Sequence, residues 1–283
     1  MHNFTASPPN LPGYFAPQTS VVNFCEIDYA VTPYIAEFVY TLTNLAYMIL
    51  AFTTLPSKSS TVNLFSWPLA NTALLLIGLG SFAFHATLKH YAQLADESAM
   101  YVIVTVLNYQ VYTHKLLNTP ASKAALGLAL ALTATIVIFH NITFDGADNK
   151  LHLALFTTLV NTFWPRALYL CYTSTVSSTT AAAPVTKQFM GASAHVPPQL
   201  ALQEARLSKY RAGTSCFVLG FILWVLDGFA CEQLRALRAV LGLPLAWLFE
   251  LHGWWHVLTA VGAGFFVDLV ADLTSDAHHI KAA

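Results

Sequence analysis

Apolar residues along this chain gather in runs of about twenty, parted by short polar connectors. Seven such runs stand out, at 34–56, 64–88, 94–116, 121–140, 150–172, 210–230 and 243–272; the third and fifth are the least apolar. A helix needs roughly 20 apolar residues to cross the ~30 Å hydrocarbon core. In lipid, only helices and closed barrels satisfy their own backbone polar groups. The pattern therefore predicts an all-α membrane protein, a seven-transmembrane helix bundle over residues 34–272. Residues 1–33 read as a polar, Pro-containing N-terminal segment, and 273–283 as a short polar tail. The stretch 173–209 is rich in Ser, Thr, Ala and Pro and is predicted to be a flexible loop. No repeat of fixed period is present. The opening residues carry no charged n-region followed by a short apolar run, so the first span is expected to do the targeting.

Composition sharpens this picture. The chain is 56% hydrophobic and only 10% charged, with a mean hydropathy of +0.55, whereas a soluble domain carries about 25% charged residues. A net charge of −1 leaves no basic footprint for nucleic acid, and nothing points to a protein partner. Lys and Arg set the orientation, because cytosolic loops are enriched in them. With the N-terminus outside the cytosol, the cytosolic segments hold eight: Lys58, Lys115, Lys123, Lys187, Arg206, Lys209, Arg211 and Lys281. The other face holds four, Lys89, Lys150, Arg235 and Arg238, and Arg166 falls within a span. An extracytosolic N-terminus and a cytosolic C-terminus follow. The glycosylation sequons at Asn3 and Asn141 then fall on the extracytosolic side.

The chemistry lies in the polar residues of the spans. His252 and His256 are four residues apart in an apolar run, so on a helix they share one face. Ionisable groups inside a membrane are functional suspects by default. In the predicted topology His85, Ser81, Asp96, Glu97, Asp227, Glu232, Glu26, Asp28 and Glu37 all reach the same membrane face as the pair. Three histidines from two helices, with a carboxylate at hand, suit a zinc site whose open position activates water. A hydrogen-bonded packing role for His85, or a bis-histidine haem site, are the competing readings. Ser81 lies one turn before His85 and faces the same way; otherwise it is a small packing residue. Trp255 reads as a wall of a lipid pocket, or with Trp247 and Trp254 as part of an interfacial belt. His140, His152 and His195 read as structural or loop residues. The oxygen-rich segment Asn23, Glu26, Asp28 and Glu37 suits a hard cation such as calcium, although a solvated acidic segment is commoner. Cys25 and Cys231 share the extracytosolic side, where disulfides persist. A Cys25–Cys231 bridge is predicted, buried free thiols being the plain alternative.

Five segments resemble the alkaline ceramidases, a family of seven-helix membrane hydrolases whose superfamily includes the progestin and adiponectin receptors. They are Cys25 to Phe38 (CEIDYAVTPYIAEF), Gly80 to Lys89 (GSFAFHATLK), Gln93 to Glu97 (QLADE), Leu226-Asp227 with Cys231-Glu232, and His252 to Thr259 (HGWWHVLT). Their order matches the family along most of the chain. The resemblance implies catalytic zinc held by His85, His252 and His256, Asp96 as general acid/base, and Ser81 as a partner of the reacting group. It implies calcium at Asn23, the Phe24 carbonyl, Glu26, Asp28 and Glu37, and the same disulfide. It further implies a ceramide-type lipid substrate and a multi-pass protein of the endoplasmic reticulum or Golgi membrane, without separating the two. A receptor of the superfamily with structural zinc is the other reading. The chain departs from the family at Asn23, where Asp is usual, at Phe24, where Trp is usual, and around Asp96, where Leu94-Ala95-Asp96-Glu97-Ser98-Ala99 replaces Leu-Leu-Asp-Glu-Leu-Pro.

Overall fold

The protein's structure, a computed structural model, describes residues 13–55, 67–116, 119–144, 149–173 and 198–281. Among these residues the long elements are all helices: α1 Phe38–Thr43, α2 Leu45–Thr53, α3 Leu69–Thr87, α4 His90–Tyr112, α5 Pro120–Phe144, α6 Asn149–Thr173, α7 Pro198–Phe229, α8 Cys231–Leu241 and α9 Leu251–Lys281. Four stretches are long and apolar enough to cross a membrane: Leu69–Thr87, Pro120–Phe139, Gln199–Phe229 and Leu251–Thr274. Phe38–Thr53 is a shorter apolar stretch. Helices α4 and α6 have the length, but their polar residues, many facing inward, dilute the apolar signal, as expected for the third and fifth runs.

Tight helix contacts hold the bundle. Helix α7 packs along α9, α3 along α4, and α2 against both α3 and α9. Small residues permit this, as is usual between membrane helices. A Cβ added at Gly262 on α9 would meet Phe217 at 2.8 Å and the Gly213 carbonyl at 3.0 Å. The apolar core runs between these helices through Leu74, Leu107, Phe163, Ala260, Phe266 and Leu269. Asn71 is buried with its amide donating to the Ala51 carbonyl at 3.0 Å and the Thr54 hydroxyl at 2.8 Å, which clamps α2 to α3.

Three local features depart from the sequence expectations. The first run is broken at Asn44 rather than continuous. Its backbone N–H reaches back to Thr41, while the Tyr40 carbonyl accepts instead from the side chains of Asn44 and Thr43. Helix α7 begins at Pro198 rather than near 210, so residues 198–209 are helix and not loop. Pro at the first helical position is favourable, the run QLALQEARLSK is rich in helix formers, and Lys209 pairs with Asp272 at 2.7 Å. Residues 174–197 of the expected loop lie outside the described residues, as do His195 and the Asn3 sequon. Finally, α8 and a 3₁₀ turn, Leu245–Phe249, occupy what was read as a connector and the start of the last run. Helix α9 continues to Lys281, so the tail from Thr274 is largely helical.

The N-terminal segment folds back over the α3–α4 junction. Thr19 and Ser20 donate backbone N–H groups to the Leu88 carbonyl, Ala36 to Ala86, and Glu37 to His85. Cys25 is bonded to Cys231 with their Cα atoms 5.4 Å apart, and the Cys25 carbonyl accepts from Arg235 and Arg238 at 2.9 and 2.8 Å. Arg238 also pairs with buried Glu250. The segment is therefore fastened to the end of α3 on both sides of Cys25, and to α8 at Cys25 itself.

Candidate active site

Helix α9 starts at Leu251, which puts His252 and His256 on one face of its first turns. His85 arrives from the last turns of α3. The three rings lie 4.5–5.1 Å apart, centre to centre, and all three are at most 3% exposed. Their ligand nitrogens fall within 4.8 Å of one another, the only such His, Cys, Asp or Glu group of three or more among the described residues.

Neighbours fix the tautomers. His85 Nδ1 lies 2.6 Å from Glu37 Oε2. A carboxylate only accepts, so Nδ1 carries the proton and Nε2 keeps its lone pair. His256 Nδ1 lies 3.2 Å from the Tyr40 carbonyl and 3.0 Å from the Thr43 hydroxyl, with the same consequence. The break at Asn44 thus has a purpose, since it frees the Tyr40 carbonyl to orient a histidine. Such outer partners hold a metal-binding ring in place and raise its basicity. His252 is held by stacking on Phe24 at 3.8 Å and by its backbone N–H to Asp227 at 3.3 Å. Its buried Nδ1 has no hydrogen-bond partner, a deficit that a cation at the cluster would relieve. The donor set fits zinc: three neutral imidazoles with room for a fourth ligand.

Asp96 and Ser81 lie beside the cluster and line the same cavity. Gly80 makes this possible. A Cβ there would sit 3.1 Å from the backbone of Ala95 and Asp96, a contact that would push the helices apart by a few tenths of an ångström, so glycine lets α3 come this close to α4. All these groups open onto one cavity of about 460 Å³. Trp255 forms part of its wall, near Trp224 at 6.4 Å. Val218, Phe221 and Ile222 on α7 and Leu153 on α6 line it too, yet remain 40–48% exposed. The wall between α6 and α7 is therefore apolar and open outward.

The oxygen-rich segment is gathered next to the cluster. Asn23 donates to Asp28 Oδ2 at 3.0 Å, and Phe24 N–H to Glu37 Oε1 at 3.2 Å. Glu26 accepts from the N–H groups of Val39 and Tyr40 at 2.8 and 2.9 Å, capping α1, whose first N–H groups have no partner within the helix. Asn23 Oδ1 and Asp28 Oδ1 are buried without a hydrogen-bond partner; they are the kind of orphaned hard oxygens that a calcium ion would satisfy. Burial, then the nearby Glu250 carboxylate, pushes Glu26 up to about 8. Burial also raises Asp28, against the pull of Asn23 and Arg235. Burial leads both shifts.

Several contributors escaped the sequence reading. Tyr40 donates to Asp227 at 3.0 Å, and with Thr43 it orients His256, but an aromatic and a threonine in an apolar run carry no signal of that role. His152, expected to be structural, lines the cavity with Glu97 and Gln93. The side chain of His140 lies outside what is described.

A helical chain with four stretches long and apolar enough to cross a membrane, and a buried three-histidine cluster that could hold a metal ion beside an apolar cavity, has the features of a membrane protein. The family model for ceramidases matches residues 16–282, and the chain belongs to that family. It is 29% identical over 269 residues to alkaline ceramidase YPC1 of Saccharomyces cerevisiae, covering 91% of this chain and 78% of the relative. It is 27% identical over 254 residues to alkaline ceramidase 3 of Mus musculus, covering 89% and 82%. An alkaline ceramidase of Arabidopsis thaliana is 27% identical over 152 residues, 53% of this chain and 57% of the relative.

Proposed function

We propose that this protein hydrolyses the amide bond of ceramide to a sphingoid base and a free fatty acid, within the membrane. One observation carries the reading: in a chain of the ceramidase family, His85, His252 and His256 meet beside Asp96 and Ser81 on the wall of an apolar cavity. Zinc held by the three histidines would acidify a water molecule and polarise the amide carbonyl. Asp96 takes a proton from the attacking water and delivers it to the nitrogen as the C–N bond breaks, so the amine leaves neutral. Such transfer contributes roughly 10²–10⁴-fold. Ser81 gives its one hydroxyl proton to the carbonyl oxygen as a hydrogen bond while that oxygen gains charge. Trp255 and the apolar wall seat the chains, and the open face between α6 and α7 admits a lipid from the bilayer.

The same reading places seven spans across the membrane, counting α1 and α2 as one, with the N-terminus extracytosolic and the C-terminus cytosolic. The disulfide supports it, since Cys25–Cys231 belongs on an oxidising side. Residues 1–33 form the extracytosolic segment, 34–272 the catalytic membrane domain and 273–283 the cytosolic end. Calcium binds Asn23, the Phe24 carbonyl, Glu26, Asp28 and Glu37 and stiffens the support of His85. Residence in the endoplasmic reticulum or Golgi follows from this sphingolipid chemistry. The test is fatty-acid release from ceramide by purified wild type and Asp96→Asn, with zinc measured in both. Zinc retained and activity lowered a hundredfold or more is expected. Full activity in the variant would end the acid/base role, and zinc without turnover in the wild type would favour a receptor.

A further inference from the structure

We propose that Glu97, together with Gln93 and His152, forms a second polar subsite of the cavity that recognises the hydroxyl groups of the substrate's long-chain amino alcohol. The inference rests on the amide-hydrolase reading above.

Three groups carry it. Gln93 is locked from both ends: its Oε1 accepts from the Val21 N–H at 2.9 Å, and its Nε2 donates to Glu97 Oε1 at 2.8 Å. One oxygen of the Glu97 carboxylate is thereby anchored. The other, Oε2, lies 3.7 Å from His152 Nδ1, beyond hydrogen-bond length. The Glu97 and His152 side chains are 15% and 9% exposed, and both line the cavity while sheltered from bulk water. The His152 ring packs at 5.1 Å from Tyr101 and parallel to Phe156 at 6.2 Å. A hydroxyl is both donor and acceptor. A substrate hydroxyl reaching this wall donates to Glu97, beside the His152 ring.

The position suits the chemistry. Glu97 follows Asp96 directly on α4, and these two are the carboxylates among the described lining residues. If Asp96 serves the amide nitrogen, a hydroxyl on the carbon next to the one bearing that nitrogen falls within reach of the neighbouring residue. A hydrogen bond to an ionised carboxylate is about twice as strong as a neutral one. A site built to bond a hydroxyl rejects analogues that lack it, because its polar groups are then left unpaired. Gln93 also links the subsite to the N-terminal segment through Val21, so seating of that segment positions Glu97.

The experiment compares kcat/KM for two amides of equal chain length, one made from a hydroxylated long-chain amino alcohol and one from the corresponding hydroxyl-free alkylamine. Wild type, Glu97→Gln and His152→Asn are assayed, with zinc content as a control. Wild type should prefer the hydroxylated amide by tenfold or more. Glu97→Gln should bring that ratio close to one, and His152→Asn should lower it in the same direction. A merely structural residue would depress both substrates alike. Equal losses on both amides, an unchanged ratio in His152→Asn, or a wild type indifferent to the hydroxyls would each overturn the proposal. If wild type hydrolyses neither amide, the functional reading fails separately. The subsite is then judged by binding: the long-chain amino alcohol should raise the wild-type unfolding temperature more than the alkylamine does. That difference should vanish in Glu97→Gln, and its persistence would refute the subsite.

Discussion

Replacing Glu37 by Gln tests whether the N-terminal segment governs the metal through His85. The carboxylate is fully buried. One oxygen lies 2.6 Å from His85 Nδ1 and the other accepts from Phe24 N–H at 3.2 Å. Glutamine keeps the shape and one acceptor, so it can satisfy His85 or Phe24 but not both, and it removes the negative charge that polarises the imidazole. Loss of such an outer partner costs roughly 10–100-fold in metal affinity. At about 1.4 kcal/mol per factor of ten, this is about 1.4–2.8 kcal/mol. The assay is zinc retained against a graded chelator, read by elemental analysis, with fatty-acid release measured in parallel. Activity should fall at limiting zinc and recover in part at high zinc. Because Glu37 is also a proposed calcium ligand, both readings are taken with and without saturating calcium. A zinc deficit that persists in calcium belongs to the His85 contact. Wild-type zinc affinity in Glu37→Gln would refute the reasoning.

Further outcomes follow from the same geometry. Gly80→Ala places a methyl 3.1 Å from the Ala95 and Asp96 backbone; the shift should displace Asp96 and lower kcat tenfold or more with zinc content unchanged, and near-normal kcat would show that the close approach is dispensable. Glu26 titrates near 8 in the fold against 4.5 as a free side chain, so the folded state holds its proton more tightly. Metal-free protein should lose stability as pH rises from about 5 to about 8, and calcium should raise the melting temperature more at pH 8 than at pH 5.5; a calcium effect independent of pH would contradict this. The Cys25–Cys231 bridge closes a separation of 206 residues, and Cys231→Ser should destabilise the protein by roughly 2–5 kcal/mol, read by thermal unfolding in detergent. No change there would mean that the arginine contacts to the Cys25 carbonyl suffice.

The pattern of the sequence located the helices well where it concerned long apolar runs, because each such run must satisfy its backbone internally wherever it lies. It was weaker at their ends. The start of α7 depended on propensity and on the Lys209–Asp272 pair, which joins residues far apart in the chain. Helix α8 was missed because its charged and apolar residues alternate around a short helix, too brief and too polar for a span. The break at Asn44 depended on hydrogen bonds to the Tyr40 carbonyl that no local window reveals.

Of the site, the sequence by itself supplied the chemistry. Imidazoles four apart, a third histidine after a serine one turn earlier, and a carboxylate in an apolar run are costly in lipid, and their very presence marks function. It also supplied the oxygen-rich segment and the two cysteines that pin it. Only the tertiary structure decided how these groups work together. Which nitrogen of His85 and of His256 is free depends on Glu37, Tyr40 and Thr43, which come from another helix and the segment before it. Whether Asp96 meets Ser81 depends on how closely α3 approaches α4, and whether Glu97 and His152 face one another depends on α4 packing against α6. Residue type and spacing are fixed along the chain, whereas tautomer, distance and shared cavity are set by contacts between segments far apart in it.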